Sequence, residues 1–271
     1  MIIVSDTLVY LWLGLAIVTF ILLTFGITAQ YGRHFIPSKV FPRIDGRNGW
    51  ILQELCFPLS FELSFYLTSG HFLGGLCWAL FLLHYTNRAL IDPLVTRTSF
   101  SSTRADIVLF AIIFNIVNGT LIGAHLAAYP KPNDSYKNIG LALFFTGMFG
   151  NIWSDRHMSK LRNQYSENRK GGCRTFKMER KGKYVLPITG PYRYVISPNY
   201  GFEMVEWFGM ALLSHPQETK IELVRDCSVW AFVFWTVCNL APRGRANLRW
   251  YKMKFGENAV GNRRAIVPFV Y

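Results

Sequence analysis

The sequence predicts an all-α integral membrane protein, a bundle of seven transmembrane helices forming a single domain over residues 1–271. Three observations carry this expectation. Apolar residues make up 51% of the chain and charged ones only 17%, a membrane protein's profile. Apolar runs recur at about the 20-residue length that a spanning helix needs. Lysine and arginine collect in alternate connections between those runs, which is how cytosolic loops are marked.

In chain order, Leu8 to Ile27 is the first span, too long for a signal-peptide core and without a basic segment before it, so it reads as retained. Pro37, Pro42 and nearby glycines break the chain before Trp50, an interfacial marker. Span two runs from Ile51 to Thr68 and carries Gln53, Glu54 and Glu62; span three runs from Phe72 to about Leu90. Span four is Ile107 to Ala128, and span five is Ile139 to about Trp153, longer if its helix continues through Asp155 and Arg162. Spans six and seven are about Tyr200 to Leu213 and about Leu223 to Leu240.

The connections after spans one, three, five and seven, counting Arg88 at the end of span three with the second, hold 4, 3, 11 and 7 basic residues, whereas the opposite connections hold only Lys131, Lys137 and Lys220. This asymmetry places the N-terminus outside and the C-terminus in the cytosol. The net charge of +13 is therefore chiefly topological, which argues against a nucleic-acid partner and for the lipid bilayer. Cys56, Cys77, Cys173, Cys227 and Cys238 are odd in number and scattered, so they read as free thiols. No histidine has metal-ligand spacing, and no metal is expected.

Polar groups in apolar runs are costly and mark function. Asn151 with Asp155, and Asn199 with Glu203, are i, i+4 pairs that flank the basic segment around Arg162 and Arg174. They suit either helix–helix contact or a polyanionic ligand; without a GxGxxG or P-loop, a nucleotide site would be of neither the Rossmann nor the Walker type. Gln53, Glu54 and Tyr85 fall at one depth of antiparallel spans two and three. They suit either structural hydrogen bonding or an oxyanion device in which a phenol donates to a carbonyl oxygen gaining charge. In that device Glu54 either holds the tyrosine or donates while protonated. Asn118-Gly119 suits helix packing or a polar ligand, and His84, His125 and His157 read as structural.

Several segments, in order and spanning nearly the whole chain beyond the first helix, resemble the steroid 5α-reductase family. They are GWILQEL from Gly49, LHYTNR from Leu83, Asn118-Gly119, GMFGNIWSD from Gly147, Leu161-Arg162, YVLP from Tyr184, PNYGFEMVEWFGMAL from Pro198, RWYKMKFG from Arg249 and RRAIVPFVY from Arg263. The resemblance implies a multi-pass, seven-helix reductase of the endoplasmic reticulum that uses NADPH to saturate a C=C bond conjugated to a ketone. It assigns Glu54 and Tyr85 to catalysis and Gln53, Arg88 and Asn118 to substrate. It assigns Asn151, Asp155, Arg162, Tyr184, Asn199, Glu203, Arg243 and Tyr251 to the cofactor.

Two departures accompany it. Asn247 and Leu248 stand where the family has one or two histidines, and the region of Phe110 is apolar where it has an arginine. A 3-oxo-Δ4 steroid or sterol is the expected substrate, with another lipid enone or an enoyl-CoA as the alternative. A membrane methyltransferase using S-adenosylmethionine would leave Gln53, Glu54 and Tyr85 idle, and a receptor or transporter would spread its polar groups along a pathway. The residues indicate no oligomeric state.

Overall fold

A computed structural model of the chain describes residues 6–28, 32–97, 100–166, 173–177, 183–217 and 228–271, and these are mainly helical. Helix α1 (Asp6–Ile21) ends in a π-helical turn, Leu22–Gly26. Helices α2 (Gly46–Ser69), α3 (Leu76–Tyr85), α4 (Ala105–Ala128), α5 (Lys137–Ser166), α6 (Pro198–Leu213) and α7 (Ser228–Phe255) follow. A second π-helix, Thr86–Thr96, continues α3. The expected start of span seven at Leu223, with Arg225, Asp226 and Cys227, lies outside the described residues.

Sequence chemistry sets the ends of α2. The Asp45 side chain accepts from the backbone N–H groups of Arg47 at 3.1 Å and Asn48 at 2.9 Å, satisfying donors that a helix start leaves open. Gly70 closes the helix at φ +80°, where a β-carbon would be strained.

Packing then joins the helices in pairs. A β-carbon on Gly123 would stand 2.3 Å from the Phe61 carbonyl oxygen, so glycine is what lets α4 lie directly on α2. Ser64 Oγ donates to the Thr120 carbonyl at 2.8 Å across the same seam. Helices α5 and α6 use Gly147 in the same way, since a β-carbon there would come within 2.3 Å of the Glu206 nitrogen. Helix α1 is tied on by Trp12 Nε1, which donates to Asn118 Oδ1 at 3.1 Å, and by Trp235 Nε1, which donates to the Trp12 carbonyl at 2.9 Å. Between these pairs sits a buried aromatic core that includes Phe57, Phe61, Phe81, Tyr85 and Trp207.

The structure departs from the sequence reading in three ways. Among the described residues two helices, Thr7–Gly26 and Ala105–Ala128, are long and apolar enough to cross a membrane by themselves. Of the other expected spans, α3 with 10 residues and α6 with 16 are too short by themselves, while α2 and α5 carry charged groups, Glu54 and Glu62 on α2, Asp155 and Arg162 on α5. Second, span three gives way to a π-helix at its charged end. Third, strands are present. Strand β1 (Arg43–Ile44) pairs antiparallel with β2 (Thr103–Arg104), and β3 (Cys173–Lys177) pairs antiparallel with β4 (Lys183–Pro187), Phe176 opposite Tyr184. The conditional extension of span five holds: α5 is one helix through Asp155 and Arg162.

Candidate active site

Arg88, on the π-helix, is the hub of the site. Its Nε donates to Glu54 Oε2 at 3.0 Å and its Nη1 lies 3.6 Å from Glu203 Oε2, so one guanidinium bridges α2 and α6. Gln53 Nε2 donates to the other Glu54 oxygen at 3.2 Å, and Asn115 Nδ2 donates to the Gln53 carbonyl at 2.6 Å. Trp50 completes the hub, with its ring under Arg88 and Arg97 at 5.1 and 5.0 Å. Its Nε1 donates to the Arg88 carbonyl at 3.1 Å. That carbonyl is open for a local reason: in a π-helix its partner would be the N–H five residues on, and residue 93 is proline.

The two i, i+4 pairs meet across α5 and α6. Asn151 Nδ2 donates to the Asn199 carbonyl and to Glu203 Oε2, both at 3.3 Å, and Asn199 Nδ2 donates to Asp155 Oδ1 at 3.2 Å. Arg97 continues the chain of charges, with Nη2 at 2.7 Å from Asp92 Oδ2 and 3.6 Å from Asp155 Oδ2. Asn151, Asp155, Arg88, Asp92 and Arg97 line one cleft. A polar path therefore runs from Gln53 on α2 to Asp92 on the π-helix without a break.

Tyr85 sits at the inner end of this path, 4% exposed, with its ring stacked on Phe57 at 4.0 Å between centroids. Its hydroxyl makes no hydrogen bond among the described residues. Both Glu54 oxygens accept from donors, Gln53 and Arg88, and Glu54 makes no hydrogen bond to the Tyr85 hydroxyl.

Farther along α5, Arg162 is solvent-exposed. Burial, then the charge of Arg33, hold its guanidinium below the usual arginine range. Burial likewise pushes Arg243 on α7 down to about 10. Tyr251 donates to the Val185 carbonyl at 3.2 Å and Tyr184 packs edge-on against Trp250 at 4.7 Å, so β4 is docked on α7.

One expected residue falls away from this group. Asn118 accepts from Trp12 and donates to the Phe114 carbonyl at 2.8 Å, and it is 1% exposed. Its amide is spent on joining α1 to α4, and Gly119 beside it is a packing glycine whose β-carbon would meet the Phe57 carbonyl at 2.6 Å.

The family model described as 3-oxo-5-alpha-steroid 4-dehydrogenase matches residues 101–271, more than half of the chain. The chain belongs to that family. Among its relatives, the steroid 5-alpha-reductase DET2 of Solanum lycopersicum is 31% identical over 97% of this chain and 96% of its own. The 3-oxo-5-alpha-steroid 4-dehydrogenase 1 of Homo sapiens is 32% identical over 89% of this chain and 86% of its own. A protein of Schizosaccharomyces pombe, C9.08c, is 29% identical over 91% of this chain and 93% of its own. The protein is thus an oxidoreductase of the 3-oxo-5-alpha-steroid 4-dehydrogenase family.

Several residues at this family member's site escaped the sequence reading. Asp92 and Arg97 lie beyond the expected end of span three at about Leu90, whereas the π-helix Thr86–Thr96 carries the helix past Asp92 and ends at Arg97. His84, read as structural, meets Glu206 at 2.6 Å from Nδ1 to Oε1, and both residues line the cleft. A histidine and a glutamate on different apolar spans were the available signal, since each is too costly in a membrane without a partner.

Proposed function

We propose that this enzyme reduces the C4–C5 double bond of a 3-oxo-Δ4 steroid or sterol with NADPH, as a seven-helix protein of the endoplasmic reticulum with a lumenal N-terminus and a cytosolic C-terminus. The observation that carries the reading is the free Tyr85 hydroxyl at the end of the polar path through Arg88, in a member of this family. The α2, α5, α6 and α7 helices cross the bilayer because their polar groups face one another rather than lipid, which a hydropathy window cannot register.

The residues present fit a phosphorylated dinucleotide. Arg162 is accessible, and Arg33 and Arg97 are the cations acting on it, an arrangement that favours an anionic ligand. Asn151, Asp155, Asn199 and Glu203 supply amides and carboxylates for ribose and carboxamide groups, while Tyr184, Arg243 and Tyr251 border the same region. NADPH, when bound, supplies the hydride that adds to the β-carbon of the enone.

The protein's part is to make that addition easy at the far end of the conjugated system. As the β-carbon gains hydride, negative charge develops on the ketone oxygen. Tyr85 donates a hydrogen bond to it, its ring held by Phe57 and its hydroxyl free of internal partners. Gln53 and Glu54 act through Arg88: they fix the guanidinium whose positive charge lies near the developing enolate. Water is kept away by the aromatic core behind Tyr85.

Membranes expressing the protein, incubated with NADPH and a panel of testosterone, progesterone, a 3-oxo-Δ4 sterol and a long-chain enoyl-CoA, test the substrate. Reduction of a 3-oxo-Δ4 compound is expected. Turnover of the enoyl-CoA alone would transfer the same machinery to a thioester and refute the steroid reading.

A further inference from the structure

The connection between α1 and α2 carries a guanidinium that the residues assigned above do not include. Arg33 lies over the rings of Tyr251 at 4.7 Å and Trp250 at 5.2 Å. Its Nη1 is buried and has no hydrogen-bond partner, a situation that buried polar groups rarely tolerate without a missing partner. The position is built rather than incidental. His34 Nε2 meets Asn247 Oδ1 at 3.2 Å, and Asn247 Nδ2 donates to Ser197 Oγ at 3.1 Å, latching the connection to α7 and to the start of α6. Asn247 is one of the two positions at which the chain departs from its family's usual histidines.

What surrounds Arg33 decides the chemistry. Its nearest aromatic support is Tyr251, and the Arg162 guanidinium on α5 is held down by burial and then by the charge of Arg33. Arg33 is stacked on two rings with a buried, unpartnered Nη1, and among the described residues it is not paired to a carboxylate; a cation so held calls for an anion. A guanidinium stacked on rings keeps its edge free, and that edge matches the oxygens of a phosphate.

We propose that Arg33 is a direct ligand of a phosphate group of the bound dinucleotide, sharing it with Arg162, and that the His34–Asn247–Ser197 latch sets its position. The assignment rests on the NADPH reading above and deepens it. It makes the connection after α1 a wall of the cofactor site, although the other cofactor residues lie on α5 and beyond.

The test is equilibrium binding to purified protein in phosphatidylcholine nanodiscs, with NADPH, NADH and 2′,5′-ADP as probes. Arg33→Ala should weaken NADPH binding by roughly 10- to 100-fold, the scale of a lost charge-assisted contact, and Arg33→Lys should recover part of it. Loss for NADPH and 2′,5′-ADP with NADH unaffected assigns the 2′-phosphate; equal loss for NADPH and NADH assigns the pyrophosphate. Either upholds the proposal. NADPH binding within about threefold of wild type overturns it, as does an effect confined to affinity for anionic vesicles, which would make the ligand a lipid headgroup. If Arg33→Ala lowers the thermal midpoint, Arg33→Gln decides by the same criterion. Wild-type protein that binds no NADPH would overturn the cofactor reading as well, whereas an unchanged Arg33→Ala overturns this assignment alone.

Discussion

Arg88 and Glu54 form the ion pair on which the site turns: Nε to Oε2 is 3.0 Å, with the carboxylate side chain 7% exposed and the guanidinium 24%. The pair joins the π-helix to α2, and its second arm reaches Glu203 on α6. A guanidinium between two carboxylates cannot be removed without leaving charge uncompensated.

Arg88→Ala should therefore destabilise the protein by about 3–5 kcal/mol, the usual effect of breaking a buried pair. Urea or thermal unfolding in detergent measures it. A double-mutant cycle with Glu54→Gln should give strong coupling, because each variant removes the same contact. Additive effects would mean that the two residues act separately.

Trp50→Phe removes the indole donor from the Arg88 carbonyl and weakens the ring beneath two guanidinium groups. A loss of about 1–3 kcal/mol is expected, mainly from the orphaned carbonyl. Replacing Pro93 by alanine in that background should restore part of it, since the new N–H can reach the same carbonyl. No restoration would show that the carbonyl finds another partner.

Gly147→Ala should separate α5 from α6, because the new methyl group would meet the Glu206 backbone rather than a movable side chain. Overpacking of this kind typically costs about 1–3 kcal/mol. Since Asn151 and Glu203 lie on the same two helices, NADPH affinity should fall along with the thermal midpoint. A fall in stability alone would separate the helix seam from the ligand.

Much of this site was legible because the cost of polar groups in apolar runs is visible in a sequence. Asn151 with Asp155, and Asn199 with Glu203, lie on two helices of ordinary period, so their i, i+4 spacing correctly implied one face, and the structure brings the two faces together. Arg88 and Asp92 are themselves an i, i+4 pair, but Arg97 follows the π-helix as its extended cap, and apolar periodicity reveals neither that helix nor where it ends. Strands β3 and β4 were missed because they are only five residues each and β4 reads as a short apolar run, Tyr184 to Pro187, without the alternation of a half-buried strand. A buried amide in a span signals a partner, and for Asn118 the sequence left helix packing and a polar ligand open; in the structure the partner is the indole of Trp12.

The latch gives a pH dependence with a definite sign. Burial lowers the His34 pKa from 6.5, the bond to Asn247 works in the opposite direction, and Arg33 adds to the lowering. The folded protein thus resists protonating His34 more than the unfolded chain does. The stability this confers is complete above about 6.5, the unfolded value, and is lost as the pH falls below that through the lower folded value. Wild type should lose stability relative to His34→Gln between pH 7.5 and 5.5, as read by thermal midpoints at fixed ionic strength. A constant difference across that range would mean that His34 is not held neutral.

Orientation can be read independently. In sealed microsomes a tag at the N-terminus should resist protease, while a cleavage site placed near Arg174 should be cut, because the proposed topology puts the basic segment in the cytosol under the positive-inside rule. Protection of the Arg174 site would put the cofactor residues on the lumenal side.

The central claim is that Tyr85 stabilises the oxygen of an enone while hydride from NADPH adds at the β-carbon. The most direct measurement follows deuterium from [4-²H]NADPH into a 3-oxo-Δ4 steroid by mass spectrometry and NMR, for wild type and Tyr85→Phe side by side. The account predicts one deuterium at C5 in the wild-type product and a loss of about 10²- to 10³-fold in kcat for Tyr85→Phe, with NADPH binding retained. Label at any other carbon, or a Tyr85→Phe enzyme working within about threefold of wild type, would contradict it.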